Sequence, residues 1–274
     1  MKAIQPQQWV DDTPAWEHRE VNRHLRSSDQ TLTSEFIDQR IPLEEAIDRR
    51  RRGEPLEYIL GHCHLPNITL EINPSVLVPR QETETLLRRF LDRLSDLPAG
   101  PIVDCGTGSG LLAVGIGRRT DRTIVGSDVS TEALQLARRN AHRNGVNLSP
   151  VLCDRLRCFN GQLAAVVANL PYVLPSSEKL SQSARDYEPR QALMVPGDPA
   201  NFYRTFLKQA SNCLKPNGEL WMELDEELLD SVPLETIVSE TADNLTFLDD
   251  ENGQLRYAII SGFDCGSTVS EQLT

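Results

Sequence analysis

The chain has 274 residues, with 28 basic against 40 acidic side chains and a formal charge of −12. That balance argues against broad, phosphate-driven nucleic-acid binding, and 39% hydrophobic content argues against a disordered chain. No run approaches the ~20 apolar residues of a membrane span, and residues 1–8 carry no apolar signal core, so the expected location is the cytoplasm. In chain order, residues 1–60 are polar and charged and predict a small helical region. Within it, 34–52 has apolar positions Phe36, Ile37, Leu43, Ala46 and Ile47, interrupted by Pro42. Arg49, Arg50, Arg51 and Arg52 precede Gly53 and Pro55, as basic residues do at a helix C-terminus. Residues 56–80 read as extended and turn structure, with strand-like alternation over 68–72. Helical spacing over 82–94 (Leu86, Leu87, Phe90, Leu91, Leu94) completes a linker, 61–98, with hairpin-like and helical parts.

From residue 99 to 274 the pattern becomes strand–helix alternation. Strands are predicted at 102–105, 123–128, 150–154, 164–168 and 219–224. Helices are predicted at 111–117, 131–140 and 202–214, the last stopping at Lys215-Pro216-Asn217-Gly218. Residues 245–248 and 255–260 flank Asn252-Gly253 and predict a closing strand pair. The sum is an α/β chain: a doubly wound, mostly parallel sheet with an antiparallel edge.

Cys63, Cys105, Cys153, Cys158, Cys213 and Cys265 form no C-x-x-C pair and read as reduced thiols. His62-Cys63-His64 sets three ligand types side by side. Adjacent residues rarely converge on one ion and no second cluster is near, so no metal site is expected.

Two features carry chemistry. Asp104-Cys105-Gly106-Thr107-Gly108-Ser109-Gly110 ends the first strand of the alternating region. Glycines at a strand-to-helix turn admit a ligand close to the backbone, where the helix start offers free N–H groups. The spacing lacks the third glycine of the dinucleotide fingerprint and the Lys-Ser/Thr of a P-loop. Asp128 ends the next strand, where a carboxylate can hold ribose hydroxyls. These features leave a nicotinamide enzyme and an S-adenosylmethionine enzyme both open. Asn169-Leu170-Pro171-Tyr172 discriminates between them. It follows the fourth strand and so should lie beside the glycine turn. The Asn169 side-chain oxygen and the Leu170 carbonyl can accept the two N–H bonds of a planar nitrogen. Pro171 fixes the turn, and Tyr172 offers a face for a flat group. That suits methylation of an amide, amidine or aromatic amine.

The sequence resembles the HemK-type protein-(glutamine-N5) methyltransferases. The resemblance runs from about Arg51 to Arg256 through Arg51-Arg52-Gly53-Glu54-Pro55-Leu56, Tyr58-Ile59-Leu60-Gly61 and Leu77-Val78-Pro79-Arg80-Gln81-Glu82-Thr83-Glu84. It continues through the two motifs above and Tyr187-Glu188-Pro189-Arg190-Gln191-Ala192-Leu193. It implies a class I, Rossmann-like fold of seven strands over 99–274, an N-terminal helical region (1–60) that docks a protein substrate, and S-adenosyl-L-methionine as cofactor. The implied reaction modifies the Gly-Gly-Gln glutamine of peptide-chain release factors. By the same resemblance Gly106, Thr107, Gly108, Ser109 and Gly110 line the methionine side of the cofactor. Asp128 binds the ribose, Asp154 lies near the adenine, and Arg80 and Thr83 sit near the cofactor. Asn169, Leu170, Pro171 and Tyr172 hold the target amide, with Glu188 among the substrate-side residues.

The chain departs from the family pattern at several places: Pro196-Gly197-Asp198-Pro199-Ala200 stands where Gly-Gly-x-Asp-Gly-Leu is expected, and the N-terminal region is shorter than usual. Leu170 replaces a proline, Arg155 replaces an aromatic after Asp154, Gln81 replaces a proline, and Glu223-Leu224-Asp225 stands where Glu-Ile-Gly is expected. Glu223 and Asp225 therefore leave a second acceptor open, a free amino acid or small metabolite such as a guanidine, because a carboxylate pair binds guanidinium. A nucleic-acid adenine is a third reading, supported by Asn-Leu-Pro-Tyr and opposed by the acidic balance.

Overall fold

The computed structural model describes residue 41 and residues 43–263. The helical positions expected at Phe36 and Ile37, the break at Pro42, and Cys265 lie outside the described residues. The chain enters through helices α1 (Leu43–Arg51) and α2 (Leu56–Leu60). An antiparallel hairpin follows, β1 (His62–Leu65) with β2 (Ile68–Glu71), and then helix α3 (Gln81–Arg93).

The alternating region begins at β3 (Ile102–Cys105) and continues through α4 (Leu111–Gly117), β4 (Ile124–Asp128), α5 (Thr131–Arg143) and β5 (Leu148–Leu152). Strand β6 (Leu163–Ala168), short helices α6 (Gln182–Tyr187) and α7 (Arg190–Leu193), and helix α8 (Pro199–Cys213) come next. The chain closes with β7 (Leu214–Glu223), short helices α9 (Glu226–Ser231) and α10 (Leu234–Ser239), β8 (Ala242–Asp249) and β9 (Leu255–Phe263). The seven-stranded sheet has the order β5-β4-β3-β6-β7-β9-β8. β3 to β7 run parallel, and β9 pairs antiparallel with both β7 and β8. This is the expected sheet with its antiparallel edge.

The continuous apolar strands follow from burial on both faces. Side chains alternate along each strand. Val103, Val166, Ala168, Leu220 and Met222 pack with Tyr203, Phe206, Leu207 and Ala210 of α8. Ile102, Ala165, Val167 and Trp221 pack with Leu86 and Phe90 of α3 and Ala137 of α5. Every residue of β6 is buried. Side chains cap two helix starts: the Ser130 hydroxyl accepts from the Ala133 N–H at 3.1 Å, and Asp198 accepts from the Asn201 N–H at 2.7 Å before Pro199.

Four local expectations change. Residues 56–60 form a helix, not extended structure, because Leu56, Tyr58 and Ile59 face the core together and Gly61 closes the turn at φ +75°. Strand β5 lies two residues earlier than expected, so Cys153 and Asp154 leave the sheet. The stop at residues 215–218 is absorbed into β7 as a register irregularity against β6, with Leu163 opposite Leu214 and Ala165 opposite Glu219. Finally, Cys153 and Cys158 pair as a disulfide with Cα atoms 6.1 Å apart, so the expectation of six reduced thiols fails at this pair. His62 and His64 sit on β1, where their Nδ1 atoms pair with the Leu60 carbonyl at 2.9 Å and the Thr69 hydroxyl at 3.0 Å.

Candidate active site

Parallel register sets Cys105 beside Ser127 and Ala168, so the segments leaving β3, β4 and β6 converge at one sheet edge. A cavity of about 250 Å³ opens there. The glycine turn forms one wall. Gly110 has φ +85°, and a Cβ on it would meet Ala137 Cα and Cβ at 3.2 Å. Gly106, at φ +75°, would meet Leu170 Cδ2 at 3.1 Å. Asp104 anchors the turn through Oδ2, which accepts from the Thr107 hydroxyl at 2.7 Å and the Ala113 N–H at 2.9 Å. Its other oxygen is buried and has no hydrogen-bond partner among the described residues. Burial pushes this carboxyl up to about 7, against the pull of Thr107 and Ala113. Asp128 is braced by the backbone, accepting from the Gly108 N–H at 3.0 Å and the Ser130 N–H at 2.9 Å; its pKa too is raised by burial.

Asp154 lines the far end of the same cavity with Cys153, Arg155 and Phe202. Arg155 turns back in a left-handed conformation, φ +53°, and clamps the Asp154 carboxylate at 3.0 and 2.9 Å. That hydrogen bonding holds Asp154 below the usual carboxylate range. A third bond from Arg155 reaches the Phe202 carbonyl at 3.1 Å, and its guanidinium lies 4.7 Å from the Phe202 ring centre. Phe202 escaped the sequence reading. The available signal was an aromatic in the first turn of a helix that follows the acceptor motif.

Asn169 borders both this cavity and a second one of about 290 Å³. Its side-chain Nδ2 donates to the Thr83 hydroxyl at 2.8 Å. Thr83 in turn donates to Glu223 Oε2 at 2.8 Å, and the Tyr172 hydroxyl donates to Glu223 Oε1 at 3.1 Å. Glu223 is 1% exposed. Burial drives its pKa up to about 7, while Thr83 and Tyr172 pull the other way. Burial and the Glu223 charge hold the Tyr172 hydroxyl protonated, well above its ordinary value. Pro171 turns its carbonyl toward the Tyr203 hydroxyl, which donates at 3.0 Å.

The other expected residues separate into two sets. Gly106, Thr107, Gly108, Ser109, Asp128, Asp154, Thr83, Leu170 and Pro171 border the first cavity, Tyr172 and Asp225 border the second, and Arg80 and Asn169 border both. Gly110 lies behind the turn, against Ala137. Glu188 and Glu223 border neither cavity. Glu188 is buried and pairs with Arg80. Asp225 caps α9 by accepting from the Glu227 N–H at 2.9 Å, and pairs with Arg256 at 2.9 Å and Lys179 at 3.3 Å. Burial works against the Asp225 charge, but these partners bring its pKa below the ordinary value. Its charge is thus met within the chain.

The sequence pattern of the family "Ribosomal protein L11 methyltransferase (PrmA)" matches residues 81–174. The chain is 19% identical to a solved ribosomal protein L11 methylase from Lactobacillus delbrueckii subsp. bulgaricus, with a TM-score of 0.50 over 70% of this chain and 84% of that one, which establishes the fold. It is 35% identical over 187 residues to a release factor glutamine methyltransferase of Moorella thermoacetica, covering 67% of this chain and 66% of that protein. It is 38% identical over 209 residues to the same-named protein of Nitratidesulfovibrio vulgaris, covering 73% of this chain and 70% of that protein. On that identity and coverage, the chain belongs to the release factor glutamine methyltransferase family.

Proposed function

We propose that the chain transfers a methyl group from S-adenosyl-L-methionine to N5 of the Gly-Gly-Gln glutamine of a peptide-chain release factor, in the cytoplasm. The observation that carries this reading is Asn169, which stands where the two cavities meet. The cofactor fits the first cavity on chemical grounds. Asp104 Oδ1 is a buried acceptor lacking a donor, which an ammonium group supplies. Asp128 has lone pairs left over for vicinal hydroxyls, and the platform of Arg155 on Phe202 beside Asp154 suits a flat base. Arg80 and Thr83 complete the wall toward the acceptor.

The residues of the first cavity would hold the cofactor with its sulfonium methyl toward the acceptor; the chemistry it would supply is a methyl group that passes to the amide nitrogen, with the S–C electron pair kept by sulfur and the amide proton lost to water. The protein's part is positioning. An amide nitrogen is a poor nucleophile, and holding its two hydrogens on the Asn169 oxygen and the Leu170 carbonyl aims the lone pair at the methyl. Tyr172 and Pro171 shape the slot around the side chain. We assign docking of the protein acceptor to residues 1–60, the connection to 61–98 and the chemistry to 99–274. Asp225, already engaged by Lys179 and Arg256, gives a free cationic acceptor no open carboxylate. Among the described residues no helix is long and apolar enough to cross a membrane.

Asn169→Ala tests the reading. With labelled cofactor and a release factor, transfer should fall by ~100-fold or more, the scale of losing one pre-organised polar contact in a reacting site. Cofactor affinity by calorimetry should stay within a few-fold. Turnover retained in the variant would remove the role given to this side chain.

A further inference from the structure

We propose that Glu223 and Thr83 form a polarity relay that fixes which end of the Asn169 amide faces the acceptor, making both residues positioning residues for methyl transfer. This rests on the methyl-transfer reading above and adds Glu223, which borders neither cavity, and a second role for Thr83, which lines the first. The argument is one of hydrogen counting. A side-chain amide has a donor end and an acceptor end of nearly the same shape, and a neighbour must choose between them. Asn169 can serve an acceptor N–H only if its oxygen is turned to the cavities. Its neighbour on the buried side is the Thr83 hydroxyl, at 2.8 Å. A hydroxyl can donate or accept, so by itself it orients nothing. Glu223 removes the ambiguity. An ionised carboxylate only accepts, so the single Thr83 proton goes to Glu223 Oε2, 2.8 Å away. Thr83 can then only accept from Asn169, and the amide nitrogen must face it. The Asn169 oxygen is left to the place where the cavities meet.

The second Glu223 oxygen takes the Tyr172 proton, so one carboxylate orients both polar side chains of the Asn169-Leu170-Pro171-Tyr172 segment. The three links come from α3, from the segment after β6 and from the end of β7. Glu223 is fully enclosed, so water does not substitute for either bond.

Protonation of Glu223 undoes the ordering. Its new O–H can donate to Thr83, the Thr83 proton is then released toward Asn169, and the amide can present either end. The groups facing Glu223 are Glu82 and Thr83 from α3, Tyr172 after β6, and Arg256 and Tyr257 from β9. Burial and Glu82 favour the neutral form; Thr83, Tyr172 and Arg256 favour the anion. The balance falls at about 7. Turnover should therefore rise with pH through that region.

The experiment compares wild type, Glu223→Gln, Thr83→Val and Thr83→Ser in the full chain. Glu223→Gln keeps the shape but adds a donor. Its kcat should fall ~10- to 100-fold, the cost of mis-set reacting geometry, with KM and cofactor affinity nearly unchanged and the rise in kcat near neutral pH abolished. Thr83→Val should lose rate similarly, and Thr83→Ser, which keeps the hydroxyl, should restore it to within about threefold. A second readout needs no acceptor: the side-chain NH₂ resonance of Asn169, identified by its loss in Asn169→Asp. It should titrate with a midpoint near neutral pH in wild type and stay flat in Glu223→Gln. A wild-type rate and pH profile in Glu223→Gln would overturn the relay, and so would an Asn169 resonance insensitive to pH in wild type. Wild type that leaves a release factor unlabelled would instead sink the acceptor reading, while the titration still decides the relay.

Discussion

Asp104 and Glu223 are each 1% exposed, and each is pushed up to about 7 chiefly by burial. They do different work. Asp104 holds the glycine turn with one oxygen, and its other has no hydrogen-bond partner among the described residues; Glu223 spends both oxygens on neighbouring hydroxyls. Asp104 sits inside a motif visible in the sequence, but its anchoring of the turn shows only in the structure. The role of Glu223 was not legible either, because the chain from Glu223 through Thr83 to Asn169 joins residues 140 and 86 positions apart. Sequence reading instead gave Glu223 and Glu188 to the substrate, and both lie behind the residues that border the cavities. Arg155 shows the reverse case. The missing aromatic after Asp154 is made up by Phe202 from α8, seated under the Arg155 guanidinium. Two residue-scale results follow. Asp128→Ala should weaken cofactor affinity ~10-fold or more, as loss of a charged hydrogen-bond acceptor does. Phe202→Ala should weaken it by a smaller factor with kcat little changed. Calorimetry checks both, and unchanged affinity in Asp128→Ala would contradict the ribose assignment.

At the scale of elements, the central strands β3 and β6 were legible because burial on both faces leaves continuous apolar runs, and those runs ended where the motifs began. The short pieces were not. Helices α2, α6, α7, α9 and α10 have four to six residues, too few for a helical period to stand out, and they are held by tertiary packing. The hairpin strand β1 was hidden by His62-Cys63-His64, which reads as a ligand cluster before it reads as a strand. The glycine turn is the element on which the site depends most. Gly110 combines a positive φ with α5 backbone at van der Waals limit. Gly110→Ala should destabilise the fold by ~1–3 kcal/mol through backbone strain, read as a lower urea midpoint. It should also lower cofactor affinity, since α4 and α5 must part to make room.

For the whole molecule, the order β5-β4-β3-β6-β7-β9-β8 puts the reversal of strand order between β3 and β6, and the glycine turn and Asn169 flank that point. The chemistry is thus set by topology before any side chain is chosen. The same architecture buries two carboxyls, and this has a consequence for stability. Folding raises Asp104 from 3.8 and Glu223 from 4.5 to about 7, so between those values the folded chain binds more protons than the unfolded one. Their contribution is complete below the unfolded values and is lost as pH rises through about 7. Glu71, Asp154 and Asp225 are shifted the other way and weaken the fold only when pH falls below the usual carboxylate range. The ligand-free protein should therefore melt at a lower temperature at pH ~8 than at pH ~5, and Glu223→Gln should flatten that slope. A melting temperature that climbs across the interval would show that these carboxyls are ionised throughout.

The central claim is that the two cavities joined at Asn169 deliver a methyl group to a release-factor glutamine. The most direct measurement is transfer from labelled S-adenosyl-L-methionine to a release factor and to its Gly-Gly-Gln→Gly-Gly-Ala variant, with free arginine and free glutamine in parallel. Label on the release factor that disappears in the loop variant, with none on the free amino acids, is the predicted result. Label confined to a free amino acid, or unchanged in the loop variant, would contradict it.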